Sequence, residues 1–312
     1  MNAFQKTAVA TLAATILLIS VGSLVRITGA GLGCPDWPRC WGSWLPPSSV
    51  EDLDRDYLLE KGYDIAAFNP VKMWIEYANR LVGVVIGILV FVTFLRSLRY
   101  RSTQPAVCFG AGLCFVLVGF QGWLGGQVVR SGLQPGIITL HMFLAVILLC
   151  ALLYVTFQST GPLFRVDMAP EARAVLLRLA YALLAVTTIQ LLLGTQVREG
   201  IDPFIKDDGG LPRGEWLARV GFVDHVHRLS SWLVLLAGVL VYRFAARHAH
   251  GSRLVPVARL ILAGIVLQIL IGITLAYGDL PRPAQVMHLT LATLLVCGEC
   301  SLILMARSRA DR

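Results

Sequence analysis

A chain of 312 residues that is 56% hydrophobic and only 15% charged, with a mean hydropathy of +0.69, is not an ordinary soluble domain; in those about a quarter of the residues are charged. The formal net charge of +8 does not point to nucleic acid, because the surplus arginines lie in short loops beside apolar segments, where membrane topology accounts for them. Seven cysteines show neither zinc-ligand spacing nor a Cys-x-x-Cys-His haem-attachment motif.

A bilayer core is ~30 Å thick and needs ~20 mainly apolar residues of helix. Eight stretches satisfy that rule in chain order: 7–26, 73–95, 105–128, 136–158, 173–197, 219–242, 254–277 and 285–306. The first, Thr7 to Val25, is long enough to span and no small-residue cleavage site follows it, so it reads as a span and not as a removable signal. The expected fold class is therefore an all-α integral membrane protein with eight transmembrane helices. Lys6 precedes the first span, and Arg96, Arg99 and Arg101 follow the second. Arg165 and Arg173 follow the fourth, Arg243, Arg247 and Arg253 follow the sixth, and Arg307, Arg309 and Arg312 end the chain. Positive charge marks these alternate loops as cytoplasmic, which puts both termini inside and the chain in the cell inner membrane.

The two longest loops, 27–72 and 198–218, then face outward. The first carries Cys34-Pro35-Asp36-Trp37-Pro38-Arg39-Cys40-Trp41, and on the oxidising side a Cys34–Cys40 disulfide is the natural reading. Cys108, Cys114, Cys150, Cys297 and Cys300 fall within spans and read as small buried apolar residues.

Certain residues recur. Gln121 and His141 on spans three and four are twenty residues apart, as are Gln268 and His288 on spans seven and eight. Gly125 and Gly272 keep the same register. Arg26 and Arg198 each follow a glycine (Gly22, Gly194) by four residues, and Asn79-Arg80 matches His227-Arg228. The chain thus reads as two four-helix bundles, residues 1–160 and 161–312, the second a same-orientation copy of the first about an axis along the membrane normal.

Ionisable groups inside spans are costly and mark functional candidates. His227 and His288 start spans six and eight at similar depth, so two imidazoles can approach one iron from opposite sides. Haem suits imidazole ligands and the apolar slot of a four-helix bundle, whereas zinc would need further ligands and only Asp224 is near. Arg26, Arg80, Arg198 and Arg228 lie at the outer ends of spans, as candidate partners of haem propionates. His225, two residues from His227, points to a different face and reads as a rim residue. His248 and His250 lie in a basic cytoplasmic loop and read as solvated or lipid-facing.

In the first half the equivalents are His141 and Asn79. Asn is a poor iron ligand, so a haem there would keep an open sixth position, the state that binds and activates small ligands. Glu76 lies one turn from Asn79 on the same face and is a candidate proton donor or substrate-positioning group, with pairing to Arg80 or Lys72 as the structural alternative. Glu299, eleven residues after His288, lies ~16 Å deeper along the helix, too far to reach the same iron.

These residues bring a family into view. The run Leu24 to Cys40, with its Arg-x-Thr-x-x-Gly-x-Gly-Cys-Pro-Asp-Trp-Pro-x-Cys pattern, together with Glu76 to Arg80, His141, His227-Arg228 and His288, resembles the haem A synthases over nearly the whole chain. The resemblance implies oxidation of the C8 methyl of haem O to a formyl group by successive hydroxylations, giving haem A. It implies a haem b held by His227 and His288 in the C-terminal half, and processing of haem O near His141, with the glutamate matching Glu76 catalytic. It also implies a redox-capable disulfide at Cys34 and Cys40. Expected partners are haem O synthase and terminal oxidase assembly proteins, besides the lipid bilayer; self-association is compatible with the chain, and its interface is not legible in it. The chain departs from the family motif at Asn79, where relatives carry histidine, and its second outer loop has no cysteine. Two other readings compete: a membrane cytochrome b exchanging electrons with quinone and lacking a substrate haem, and a transporter on parallel repeats. The latter would place polar groups at the bilayer midplane, not near the outer ends where they cluster.

Overall fold

The computed structural model describes residues 1–160, 166–206 and 210–308. Arg165, Arg309 and Arg312, used above to orient the chain, lie outside the described residues, as does the junction proposed between the two halves. Among the described residues, eight helices are long and apolar enough to cross a membrane, and the chain is a multi-pass all-helical membrane protein. They are α1 (Ala3–Ile27), α3 (Pro70–Ser97), α4 (Pro105–Arg130), α5 (Pro135–Ser159), α6 (Pro170–Lys206), α8 (Phe222–His248), α9 (Leu254–Tyr277) and α10 (Arg282–Arg307). Two short helices, α2 (Arg55–Lys61) and α7 (Trp216–Val220), belong to the long loops.

Local chemistry sets several helix starts. Asn2 and Gln5 close a reciprocal capping box on α1, each side chain taking the other's backbone N–H at 3.0 and 2.9 Å. Asn69 caps α3 by accepting from Lys72 N at 3.0 Å, and Pro70, Pro105 and Pro135 open their helices where a missing N–H costs nothing. The fifth span does not end at residue 197 as its hydropathy suggests. Helix α6 runs on to Lys206, because Arg198 and Asp202, one turn apart, pair at 2.6 Å and satisfy each other on the added turns.

Helices α1, α3, α4 and α5 pack on one another as one set of four, and α6, α8, α9 and α10 as a second. The sets meet mainly where α10 lies against α1 and α5. Each set has its own apolar core, around Phe4, Ile86, Val107 and Leu152 in the first and Leu176, Val241, Leu254 and Leu302 in the second. These residues all lie toward the end of the molecule that carries the two chain termini. At the opposite end, the loop end, the helices carry histidine, glutamine, glycine and arginine instead.

The first long loop is tightly built. Cys34 and Cys40 form a disulfide, with Cα atoms 4.7 Å apart, and Asp36 takes the backbone N–H groups of Trp41 and Gly42 at 2.7 and 2.8 Å. Tyr57 donates to the same carboxylate at 3.3 Å, and burial, then the Asp36 charge, push its phenol up so that it stays protonated and able to donate. Gly33 is required by close approach, since a Cβ there would lie 2.3 Å from the Lys72 carbonyl oxygen. Trp37 lies flat against Gly126 of α4, under the Arg130 guanidinium at 5.6 Å. The loop is thereby tied down onto the loop ends of α3 and α4.

Candidate functional site

In the second set, His227 of α8 and His288 of α10 face each other with ring centroids 6.5 Å apart and planes at 69°. Both Nδ1 atoms are buried and without a hydrogen-bond partner. Glycines bring the neighbouring backbones close: a Cβ on Gly194 would sit 3.1 Å from His227 Cε1, and one on Gly272 would sit 3.5 Å from His288 Cε1. Each ligand candidate is also clasped through its own carbonyl. Gln190 Nε2 donates to His227 O at 2.8 Å and Gln268 Nε2 to His288 O at 3.0 Å. Ser230 supports the first clasp by donating to Gln190 Oε1. A buried amide side chain bonded in this way fixes helix rotation, and with it the direction of the imidazole.

The first set repeats part of this. Gln121 Nε2 donates to His141 O at 3.0 Å, a Cβ on Gly125 would lie 3.5 Å from His141 Cε1, and His141 Nδ1 is buried and unpartnered. Gln121 and Gln268 thus each make an interhelical hydrogen bond to the histidine twenty residues on. Asn79, the residue in sequence register with His227, has its Oδ1 buried and unpartnered.

An acid–arginine step precedes each site. Arg80 Nε bonds Glu76 Oε1 at 3.0 Å, and Arg228 Nη2 bonds Asp224 Oδ2 at 2.6 Å, each at i,i+4. The structural alternative for Glu76, pairing with Arg80, is thus present. Arg80 also gathers the disulfide loop, donating to the carbonyls of Asp36, Arg39 and Cys34 at 2.8, 2.9 and 3.0 Å. The other arginines are similarly engaged inside the protein. Arg26 and Arg198 grip the two oxygens of Asp202 at 2.7 and 2.6 Å, joining α1 to α6, while Arg228 stands 5.9 Å from the Tyr277 ring centre. They remain near the loop end where propionates would lie, but they are not idle cations. Asp202 and Gln190 escaped the sequence reading; the only signal for either was its one-turn spacing, four residues after Arg198 and four before Gly194.

Other candidates separate from this place. His225 is exposed on another face of α8, and His248 bonds Phe244 O at 3.1 Å near the termini end. Glu299 is buried in the second core, where Thr187 donates to its Oε1 at 2.8 Å. Cys150 and Cys300, read as inert core residues, lie 3.4 Å apart, Sγ to Sγ, where α5 meets α10.

Among the described residues, no group of three or more His, Cys, Asp or Glu side chains could cage a bare metal ion. Two facing imidazoles can supply axial ligands to a metal whose equatorial ligands come from its own macrocycle. Their 6.5 Å separation is about the span of two metal–imidazole bonds of ~2 Å plus the two ring radii. The buried, unpartnered ring nitrogens and the glycine gaps fit a haem held edge-on between helices.

Comparison with known proteins bears on the same residues. A family model described as COX15-CtaA, cytochrome oxidase assembly protein, matches residues 5–298. The chain is similar to a protein named heme A synthase from Sphingopyxis alaskensis, 30% identical over 312 aligned positions, covering 90% of this chain and 85% of the relative. It is 29% identical to a heme A synthase from Dinoroseobacter shibae, covering 95% of this chain and 84% of that one. A heme A synthase from Shewanella oneidensis is 26% identical, with 89% of each chain covered.

Proposed function

The chain belongs to the COX15-CtaA family of cytochrome oxidase assembly proteins, and on that footing we propose that it is a haem-modifying oxidoreductase that converts haem O to haem A. The C8 methyl is hydroxylated twice, each time gaining one oxygen atom in a two-electron oxidation by an exogenous oxidant of the dioxygen or peroxide class, first to an alcohol and then to a gem-diol that loses water to leave the formyl group. The observation that carries this reading is the pair of facing imidazoles, His227 and His288, beside a second, incomplete version of the same arrangement at His141 and Asn79.

The two sets of helices are two halves related by an internal repeat, residues 1–160 receiving the substrate haem and residues 161–312 holding haem b. Haem b, when bound, supplies one-electron transfer. His227 and His288 would hold it through their imidazoles, and Gln190 and Gln268 keep those rings aimed by fixing the carbonyls of the same residues. His141 holds the substrate haem from one side, with Asn79 and Arg80 on the other.

Glu76 is the catalytic group. Its Oε1 is tied to Arg80, itself pinned by three loop carbonyls, while Oε2 has no hydrogen-bond partner among the described residues and is the atom that takes or gives a proton. Arg26, Arg198 and Arg228 receive the propionates, Asp202 and Asp224 holding the guanidinium groups in place until a carboxylate arrives. Lys6, Arg96, Arg99, Arg101, Arg173, Arg243 and Arg247 gather at the termini end, which supports a reading in which that end is cytoplasmic and the haem sites lie near the outer face of the cell inner membrane. The Cys34–Cys40 disulfide closes the loop over the substrate half. Haem O synthase would deliver substrate, and terminal oxidase assembly proteins would accept the product.

The test is to extract and identify the haems of protein purified from cells that also make haem O. Haem b together with haem O, its hydroxylated form or haem A is the expected result. Haem b alone would replace this reading with an electron-transfer cytochrome b.

A further inference from the structure

Four glycines stand at corresponding places on the helices that flank the two sites. Gly125, Gly194 and Gly272 each face an imidazole, with a Cβ on them falling 3.5, 3.1 and 3.5 Å from Cε1 of His141, His227 and His288. Gly22, the counterpart of Gly194, would meet nothing within 4 Å. The residue that should fill this space is Asn79, in the place of His227. Its side chain is shorter than an imidazole, its amide is a poor metal ligand, and its Oδ1 is buried without a partner.

We propose that the space bounded by Gly22 and Asn79 is the binding site of a small exogenous axial ligand, of diatomic or similar size. The ligand takes the place on the substrate haem that His227 takes opposite His288 on the other. This rests on the reading given above, and it adds the site and size class of the ligand and a role for two residues that the family motif leaves unassigned here. Asn79 is the positioning group: a primary amide can donate a hydrogen bond to a bound ligand without competing for the metal. Gly22 provides the room, since any side chain there would enter the space. The second half offers no such place, because Gly194 is already covered by the His227 ring.

The test uses the full-length protein purified with haem in both halves, titrated with carbon monoxide in the reduced state and with imidazole in the oxidised state, and followed by its absorption spectrum. One of the two haems should bind each probe. Asn79→His should abolish carbon monoxide binding and turn the spectrum wholly into that of two bis-imidazole haems. Gly22→Phe should weaken imidazole binding at least tenfold with both haems retained. Protein that carries two haems but binds neither probe would overturn the proposal alone, as would unchanged binding in both variants. Protein that carries one haem, with His141→Ala making no difference to its haem content, would overturn the reading of the first half and the proposal with it.

Discussion

In the C-terminal set of helices Gly194 presses against the His227 ring, which faces His288; in the N-terminal set a Cβ on Gly22 would meet nothing within 4 Å, and Asn79 has its Oδ1 buried without a partner. The framework around these residues is nearly the same. Gln121 and Gln268 make the same bond at the same 3.0 Å to the carbonyl of the histidine on the next helix, and an acid–arginine pair one turn apart opens each site. The differences are confined to what fills the site and what surrounds its arginine. Arg80 lies under the disulfide loop and bonds three of its carbonyls, whereas the Arg228 side chain is 37% exposed and meets Asp224 and the Tyr277 ring. On the function proposed above, such a shared scaffold would separate electron storage from chemistry without changing the fold.

The widest separation between the halves should appear in haem content. His288→Ala is expected to remove haem b and leave the substrate half able to bind, and His141→Ala the reverse; a pyridine haemochrome assay with haem extraction reads both. Loss of both haems from either variant would make the halves one cooperative site. Catalysis should separate next. Glu76→Gln is expected to reduce haem A formation by about 100-fold, the lower range for losing a positioned acid–base group, with haem b retained. Asp224→Asn, at the equivalent place, should leave the chemical step nearly unchanged while shifting the haem b potential.

Stability should follow the surroundings of the two arginines. Arg80→Ala strands a buried carboxylate and three carbonyls and should cost about 3–5 kcal/mol, read as a fall in the thermal midpoint in detergent. Arg228→Ala, where water reaches the pair, should cost about 1 kcal/mol. Opening the short loop with Cys34→Ser should cost about 2 kcal/mol and act on the first half only. The smallest effects belong to the clasps. Gln121→Leu and Gln268→Leu should each lose about 1 kcal/mol and slightly alter the spectrum of the haem on their own side.

Much of this was legible along the chain because it depends on local pattern. Runs of apolar residues long enough to cross a bilayer are visible one by one, and all eight correspond to long helices. The depth of His227 and His288 follows from counting residues from the span ends. The weight given to Gln121 and Gln268 came from their fixed distance to a histidine, and their bonds now explain that spacing. The Cys34–Cys40 bridge was readable because only six positions separate the two in a loop.

Other features belong to tertiary structure alone. Asp202 holds Arg26 and Arg198 from opposite halves, and neither its depth nor its partners could be read while α6 was expected to stop at residue 197. The fan of carbonyls around Arg80 comes from a loop whose path depends on Trp37 docking against Gly126, far along the chain. The meeting of Cys150 with Cys300 and the space at Gly22 depend on how far each helix is rotated about its axis. By itself the sequence determined which segments form long apolar helices and where along each helix its histidine falls, because hydropathy and helical rise act along the chain. Only the tertiary structure decided which partners each arginine takes and how closely each glycine approaches its imidazole. Those outcomes turn on contacts between helices and loops up to 176 positions apart, and helix rotation, which spacing does not encode, sets them.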